Sequence, residues 1–337
     1  MGIIEEGGEG ESSKKGGRKP IMLYFNKKYR YIASLELSYK QPVCAIGDLK
    51  CNILSLKKID IDRSASPESK KESVSLALGG MLEDLHIPPD KLGLIVISQP
   101  GQIGKDNEVL YIDELHHSWT NIGLKEYLQE NFKTPVLLGN DVRMSAIGEM
   151  NMGYGKQIES LIYVSCGIGL GSSVIYKGQL FEGCNYAAGE LGTFLTADGR
   201  RLGEIVSMEG LLKRIAGIYA ENGRSEDDLN FEEIVRKSLA GEELVNQGLK
   251  EVGRILGQAI YNYCVMFDIP NVIFGGDYIR LGPALFESIE ETVGQSFLPM
   301  RPKIQKSGLR EASGIFGSFV TGKNVILQKE IGSLGII

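Results

Sequence analysis

The order of predicted strands and helices occurs twice along the chain, and this repeat constrains the fold more than any other feature. The first half has predicted strands at residues 21–25, 31–37, 42–48 and 51–61, then alternating helices and strands at residues 67–85, 92–98, 123–131 and 135–138. The second half has strands at 161–166, 173–176 and 179–181, helices at 207–222, 231–240 and 242–267, a strand at 271–274 and a helix at 283–297. The pattern predicts two similar α/β lobes with a ligand cleft.

The composition is that of an ordinary soluble globular protein. Hydrophobic residues make up 42% of the 337 residues and charged residues 24%, and the formal net charge is −6. This charge provides no broad attraction to nucleic acid or to an anionic membrane. The N-terminus has no apolar signal segment, and no apolar run reaches the roughly 18 residues of a membrane span. The five cysteines form no CxxC pair, so we expect free thiols in a reduced, cytoplasmic protein.

Polar residues follow a predicted buried strand at Asn140 and Asp141. An amide both donates and accepts hydrogen bonds, and a carboxylate accepts them from hydroxyl groups, so this pair suits a polyol ligand. The alternative is that the pair only caps the helix that follows.

Two glycine-rich segments lie in the second half. Gly167, Gly169 and Gly171 form a turn between two predicted strands, where bare backbone amides could approach a phosphate. No helix follows directly, so the turn is not a dinucleotide fingerprint, and a tight hairpin without ligand is the alternative. In the second segment, Glu190 stands between glycines in an irregular loop. It could bind sugar hydroxyls or simply be exposed.

Taken together, these motifs resemble the ROK family of repressors, open reading frames and sugar kinases. The resemblance covers nearly all of residues 18–320 and extends to Pro100-Gly101, to residues 146–149 and to Gly275-Gly276. It implies the two-lobed, actin-like ATPase and sugar-kinase fold, with ribonuclease-H-like lobes. We expect residues 21–139 with about 313–337 to form the N-terminal lobe, and residues 140–312 to form the C-terminal lobe.

The resemblance also implies roles for individual residues. Asn140 and Asp141 would contact the sugar, with Asp141 the general base if the protein is a kinase, and Glu190 and Glu204 would contact other sugar hydroxyls. Further implied sugar contacts are Pro100, Gly101 and His116. The implied nucleotide site, interpreted as vestigial, consists of Gly167, Gly169, Gly171, Gly275 and Gly276.

The sequence departs from the family's kinases at both phosphate loops. The family's Asp-x-Gly-Gly-Thr corresponds to Glu-Leu-Ser-Tyr-Lys at residues 36–40, so Tyr39 stands where a phosphate needs bare backbone. In the second loop, Ile168 replaces a threonine and removes a hydroxyl donor. A phosphate clamp depends on positioned donors, so we do not expect ATP-dependent phosphoryl transfer. The alternative is a sugar kinase that uses ATP, Mg²⁺ and Asp141.

The zinc-binding residues of the family are also missing. Thr193 stands where the family has a sugar-facing, zinc-binding histidine. The family's cysteine-rich segment corresponds to residues 196–203, which contain no cysteine. Zinc needs about four thiolate or imidazole ligands. We therefore expect no structural zinc and no metal site.

The N-terminus resembles the family's repressors. Residues 11–20 resemble the connector between a winged helix-turn-helix and the sugar-binding body, and residues 3–6 resemble the last strand of the wing. We interpret residues 1–20 as a wing remnant and linker. They contain no recognition helix. Either the gene starts upstream of Met1, or this is a shortened form, so DNA contact is expected only through a helix-turn-helix outside this sequence.

The prediction is a sugar-sensing, effector-binding body of a transcriptional regulator, working as a homodimer or homotetramer in the cytoplasm. Xylose-type and N-acetylglucosamine-type regulators both remain compatible with the sequence. The alternatives are an active sugar kinase and a dimerising remnant without ligand.

Overall fold

The chain forms two compact units in the computed structural model, Met1–Asp141 with Ser318–Ile337, and Val142–Gly317. The structure describes residues 2–9, 19, 21–37, 41–62, 64–111, 119, 122–224, 229–295 and 300–332. Two helices contain the points where the chain passes from one unit to the other. These are α3 (Asp141–Met152) and α9 (Ser313–Gly332).

A five-stranded mixed sheet forms the core of the first unit. Its strands, in spatial order, are β5 (Ile53–Lys58), β4 (Val43–Asp48), β3 (Tyr31–Glu36), β6 (Leu92–Gln99) and β9 (Val136–Asn140). The strands β3, β4 and β5 are antiparallel neighbours, whereas β3, β6 and β9 run parallel. The parallel strands therefore end at one edge of the sheet, and their last residues lie side by side.

Helices cover both faces of this sheet. Buried side chains of α1 (Pro67–Asp84) and α2 (Leu124–Phe132) join one core cluster with β3, β4 and β6. On the other face, α9 packs so closely that a Cβ added to Gly47 would lie 2.6 Å from the Phe319 ring. Because both faces are covered, β3 and β6 are almost continuously apolar and buried.

Two small antiparallel sheets complete the first unit. The strand β1 (Ile4–Glu9) pairs with β2 (Ile21–Phe25), and β7 (Gln102–Ile103) pairs with β8 (Val109–Tyr111). The wing interpretation predicted a strand at residues 3–6, and the strand β1 extends past residue 6 to Glu9. Pairing with β2 provides backbone hydrogen bonds for this extension even where the side chains are exposed.

The second unit also contains a five-stranded mixed sheet. Its strands, in spatial order, are β12 (Gln179–Leu180), β11 (Leu170–Tyr176), β10 (Leu161–Cys166), β13 (Asn271–Gly275) and β14 (Lys303–Lys306). The remaining helices are α4 (Leu202–Val206), α5 (Met208–Glu221), α6 (Phe231–Leu239), α7 (Glu243–Phe267) and α8 (Pro283–Gly294). Each of α5, α6 and α7 begins at a side-chain N-cap, namely Ser207, Asn230 and Glu242.

Some predicted elements differ from the structure. The helix predicted at residues 207–222 begins at Met208, because Ser207 caps it, and the separate helix α4 precedes it. The helix predicted to end at residue 297 ends at Gly294. The strands β7, β8 and β14 and the helix α9 have no clear sequence signal, since the strands have two to four residues and α9 is rich in glycine and β-branched residues.

Cysteine exposure leads to a prediction on reactivity. All five cysteines are free thiols; Cys184 is exposed, whereas the other four are buried. Burial raises the pKa of Cys44 and Cys264 to about 12 and also raises the pKa of Cys51 and Cys166. The reactive species is the thiolate. At pH 8 we therefore expect a thiol reagent to label only Cys184 quickly in the native protein and all five after denaturation. Fast labelling of a second native thiol would contradict this.

None of the described helices combines the length and the apolar character that crossing a lipid bilayer requires.

Candidate functional site

In the first unit, the predicted sugar-binding residues meet where β6 and β9 end. Gln99 lies opposite Asn140 in the parallel register, and the Asn140 Nδ2 donates a hydrogen bond to the Gly101 carbonyl at 2.9 Å. Gly101 has φ +107°, which a residue with a side chain rarely adopts, so the chain can turn sharply after Pro100. The structure thus brings Asn140 together with the Pro100-Gly101 turn.

Asp141 is the first residue of α3 and, like Asn140, is half-buried. A carboxylate in the first turn is favoured by the helix macrodipole, so the position has a structural role whether or not a ligand binds there. It also places the carboxylate at the edge of the sheet where the parallel strands end.

A residue that no sequence motif indicated, Asn107, forms hydrogen bonds along the outer side of β9, the last strand of this sheet. Asn107 adopts a left-handed backbone conformation, and its side chain spans the outer edge of β9. Its Nδ2 donates to the Val136 carbonyl at 2.9 Å, and its Oδ1 accepts from the Leu138 amide. Because β9 is the last strand of the sheet, Asn107 satisfies backbone groups that a sixth strand would otherwise pair. The only sequence signal for it is an asparagine in a polar turn.

Three sequence predictions concern residues outside the part of the chain that the structure describes. They are His116, residues 38–40 of the first phosphate loop, and the connector at residues 11–20, of which only Lys19 is described.

In the second unit, the glycines predicted as a vestigial nucleotide site lie together where β10 and β13 end. Ser165 pairs with Gly275 in the parallel register, so the Gly167–Gly169 turn and Gly276 are neighbours. A Cβ on Gly276 would lie 2.4 Å from the Cys166 carbonyl, and Gly276 has φ +77°. Glycine is therefore required at this position for packing and for conformation.

The loop that carries Glu190 is held against β11. The Gly189 carbonyl accepts hydrogen bonds from the Ser172 amide at 3.1 Å and from the Ser172 hydroxyl at 2.6 Å. Glu190 is exposed, and its carbonyl accepts from the Thr193 hydroxyl at 2.7 Å. The threonine that replaces the family's histidine thus bonds to the backbone of the same loop.

The second predicted carboxylate, Glu204, belongs to a neighbouring segment. It lies in α4, which is joined to the Glu190 loop by a hydrogen bond from the Leu202 amide to the Phe194 carbonyl at 2.7 Å. Its side chain is exposed, and its Oε1 lies 3.8 Å from the Arg201 Nε. The structure therefore brings together the two segments that carry Glu190 and Glu204.

Arg143 connects α3 to the Glu190 loop, and sequence reasoning missed it. The side chain is buried, and its Nη2 donates to the carbonyl of Tyr186, a residue in the left-handed region. Burial lowers the pKa of Arg143, and the charges of Glu182 and Glu190 oppose this shift. Arg143 therefore ties α3 to the loop that carries Glu190.

The segment that corresponds to the family's zinc loop is closed by hydrogen bonds. The Thr196 amide donates to the Arg200 carbonyl at 2.9 Å, and the Arg200 Nε donates to Asp198 Oδ2 at 2.7 Å. Hydrogen bonds from Thr196 and Arg200 lower the pKa of Asp198 to about 2. Within the described ranges, no three or more His, Cys, Asp or Glu side chains are grouped so as to hold a metal ion.

A model of the ROK family matches residues 33–324. The chain belongs to the ROK family. Its curated relatives include xylose repressors, among them that of Bacillus subtilis (strain 168), which is 28% identical over 301 residues, corresponding to 86% of this chain and 75% of the repressor.

Solved structures show the same fold. A ROK family transcriptional regulator, described as a homologue of the E. coli MLC protein, has a TM-score of 0.80 at 21% identity and covers 97% of this chain and 87% of its own. A ROK family glucokinase from Streptomyces griseus, solved with glucose and AMPPNP, has a TM-score of 0.71 at 19% identity and covers 86% and 98%. The predicted two-lobed, actin-like α/β fold of sugar kinases is thereby confirmed.

Proposed function

We propose that this protein is the sugar-sensing, effector-binding body of a ROK transcriptional regulator of carbohydrate utilisation, working in the cytoplasm without kinase activity. The observation that carries the proposal is the similarity to xylose repressors over 86% of this chain. The predicted sugar contacts support it, because Asn140, Asp141, Glu190 and Glu204 offer amide and carboxylate groups that pair with sugar hydroxyls.

The proposed mechanism requires no cofactor. Sugar binding would favour the conformations with the highest affinity for the sugar. This shift in the conformational equilibrium would be transmitted to a DNA-binding segment or to a second copy of the chain. Contact with DNA is proposed only through a helix-turn-helix outside this sequence, either encoded upstream of Met1 or lost in a shortened form. The genomic sequence upstream of Met1 tests that part of the proposal, which an in-frame helix-turn-helix would support.

Isothermal titration calorimetry tests the sensor function. The purified chain is titrated, without nucleotide, with xylose, glucose and N-acetylglucosamine, and with mannitol as an open-chain polyol control. We expect saturable binding of at least one of the three sugars and no heat from mannitol. Absence of binding to every sugar, in a protein with a cooperative melting transition, would contradict the proposal.

Arg143 provides a sharper test as a positioning residue. Loss of its bond to the Tyr186 carbonyl releases the Glu190 loop, and a hydrogen bond from a charged group contributes about 1.5–3 kcal/mol. We expect Arg143→Met to weaken binding of the sugar identified above by about tenfold, and Arg143→Lys to recover part of the loss.

The matched control is Arg254→Met, which removes an exposed arginine from α7. It should leave the affinity unchanged. If Arg143→Met lowered the melting temperature but not the affinity, the residue would have only a structural role.

The second candidate function is an ATP-dependent sugar kinase, which is favoured by one observation. Asp141 is present at the end of β9, where the family's kinases have their general base. A coupled assay of ADP release with ATP, Mg²⁺ and the sugar panel distinguishes the two functions. We expect no sugar-dependent release. Turnover that Asp141→Asn abolishes would establish the kinase instead.

A further inference from the structure

The strongest unassigned feature is the position of Asp277 beside the glycine turn. Asp277 follows Gly276 directly after β13, and the Gly167–Gly169 turn directly follows the neighbouring parallel strand β10. The two segments are in close contact, since a Cβ added to Gly167 would lie 2.9 Å from Asp277 Oδ2 and 3.3 Å from Asp277 Cβ. A carboxylate therefore faces the turn that corresponds to the family's second phosphate loop.

The backbone groups of this turn are also engaged. The Gly167 amide donates to the Gly169 carbonyl at 3.0 Å, and the Gly167 carbonyl accepts from the Met208 amide at 2.7 Å. A glycine turn binds an anion through backbone amides that point at it, so the inward bond of Gly167 removes one such donor.

Steric exclusion would not keep a phosphate away from the turn. A Cβ added to Gly169 would meet no heavy atom within 4 Å, so the tip of the turn is open. What distinguishes the turn is its charge. The guanidinium of Arg280 forms an ion pair with Glu232, with Nη1 2.8 Å from Oε1. The hydrogen bonds to Glu232 raise the pKa of Arg280, and the charge of Asp277 raises it further. The Nη1 and Nη2 donors of Arg280 are thus both bonded to Glu232.

The charge of Asp277 also acts on buried neighbours. Burial is the main cause of the raised pKa of the Cys166 thiol and of the Tyr278 hydroxyl, and Asp277 raises both further. A negative charge added at the turn would meet the same repulsion, because two like charges a few ångströms apart repel strongly near a protein surface.

We propose that Asp277 excludes nucleotide phosphates from the Gly167–Gly169 turn. The inference rests on the proposed function and deepens it, because a sensor that repels ATP responds to sugar alone, whatever the nucleotide concentration. Asp277 is then a specificity-determining residue of this fold.

The test compares nucleotide binding by the full chain and by Asp277→Asn, which keeps the shape of the side chain and removes its charge. Binding of adenosine and of ADP without Mg²⁺ is measured by calorimetry at low ionic strength. We expect Asp277→Asn to bind ADP at least tenfold more tightly than the unmodified chain and adenosine equally. The gain should shrink as salt is added.

Asp268→Asn is the matched control. Asp268 is an exposed residue at the end of α7 in a left-handed conformation that asparagine tolerates, so the same charge is removed away from the turn. It should not change ADP binding. Asp277→Ser provides a second neutral variant, and melting curves verify that each variant folds.

Equal ADP affinity in the unmodified chain and in the folded neutral variants would overturn the proposal, as would an equal gain in Asp268→Asn or an equal gain for adenosine. Sugar titration of the same samples separates this inference from the proposed function. A chain that binds no sugar would contradict the sensor, while the ADP comparison would still decide the role of Asp277.

Discussion

Replacing Glu149 with alanine is expected to lower the free energy of unfolding by about 3 kcal/mol or more, because each buried donor left without an acceptor costs about 1–3 kcal/mol. Glu149 lies on α3, and its side chain is fully buried. Its carboxylate accepts hydrogen bonds from the Ser307 hydroxyl, from the Leu309 amide at 3.0 Å and from the Tyr154 amide at 3.3 Å. The substitution would leave the two backbone amides without this acceptor, while the Ser307 hydroxyl would keep only its contact with the Ser313 hydroxyl at 3.1 Å.

These bonds connect distant parts of the sequence within the second unit. Ser307 and Leu309 belong to the segment between β14 and α9, whereas Glu149 belongs to α3. The Ser313 hydroxyl, at the start of α9, lies 3.2 Å from the same carboxylate oxygen. Loss of Glu149 would therefore loosen the contact between α3 and α9, the two helices in which the chain passes between the units.

Urea denaturation followed by circular dichroism measures this effect. Glu149→Gln is expected to cost less than the alanine variant, because the amide oxygen still accepts while the amide nitrogen faces donors. Glu291→Ala, which removes an exposed carboxylate from α8, is the control and should change stability by no more than about 0.5 kcal/mol. A similar small change in Glu149→Ala would show that these hydrogen bonds contribute little.

Glycines explain how the two helices come close enough for these bonds. A Cβ on Gly148 would lie 2.0 Å from the Ser313 carbonyl, and one on Gly317 would lie 1.7 Å from the Met144 carbonyl. The helices thus meet backbone to backbone. The sequence pattern at residues 146–149 supported the family resemblance. Its structural role is close contact with α9, a helix that the pattern of apolar residues did not predict.

Local sequence signals predicted those parts of the fold that are determined locally. The buried strands β3, β6, β10 and β13 stand out as short apolar runs, and the glycine turns follow from the spacing of the glycines. These signals also predicted that Asn140 and Asp141 follow a strand. In the structure Asn140 is the last residue of β9 and Asp141 is the first residue of α3, so the strand is two residues longer at this end than predicted.

The rest depends on contacts between residues far apart in sequence. Arg143 and Tyr186 are 43 positions apart, and Glu149 and Ser307 are 158 positions apart. An arginine or glutamate on a helix is usually solvated, so neither residue stands out from its local context. Asp277 is a similar case, because only the parallel register of β10 and β13 places its carboxylate against Gly167.

The second large effect is expected at Asp141. If a sugar binds where β9 ends, its hydroxyls donate to this carboxylate, and a hydrogen bond to a charged group contributes about 1.5–3 kcal/mol. We expect Asp141→Ala to weaken binding of the sugar identified by calorimetry by about 10- to 100-fold. Asp84→Ala, at an exposed carboxylate near the end of α1, should leave the affinity unchanged.

The isosteric variant Asp141→Asn distinguishes recognition from catalysis. Asparagine keeps one acceptor oxygen and the size of the side chain, so a residue that only recognises sugar should show an affinity between those of aspartate and alanine. A general base, in contrast, loses its function when its charge is removed, while the substrate still binds. An intermediate sugar affinity without any ADP release would therefore fit a sensor. An unchanged affinity in Asp141→Ala would mean that the sugar binds elsewhere than at the end of β9.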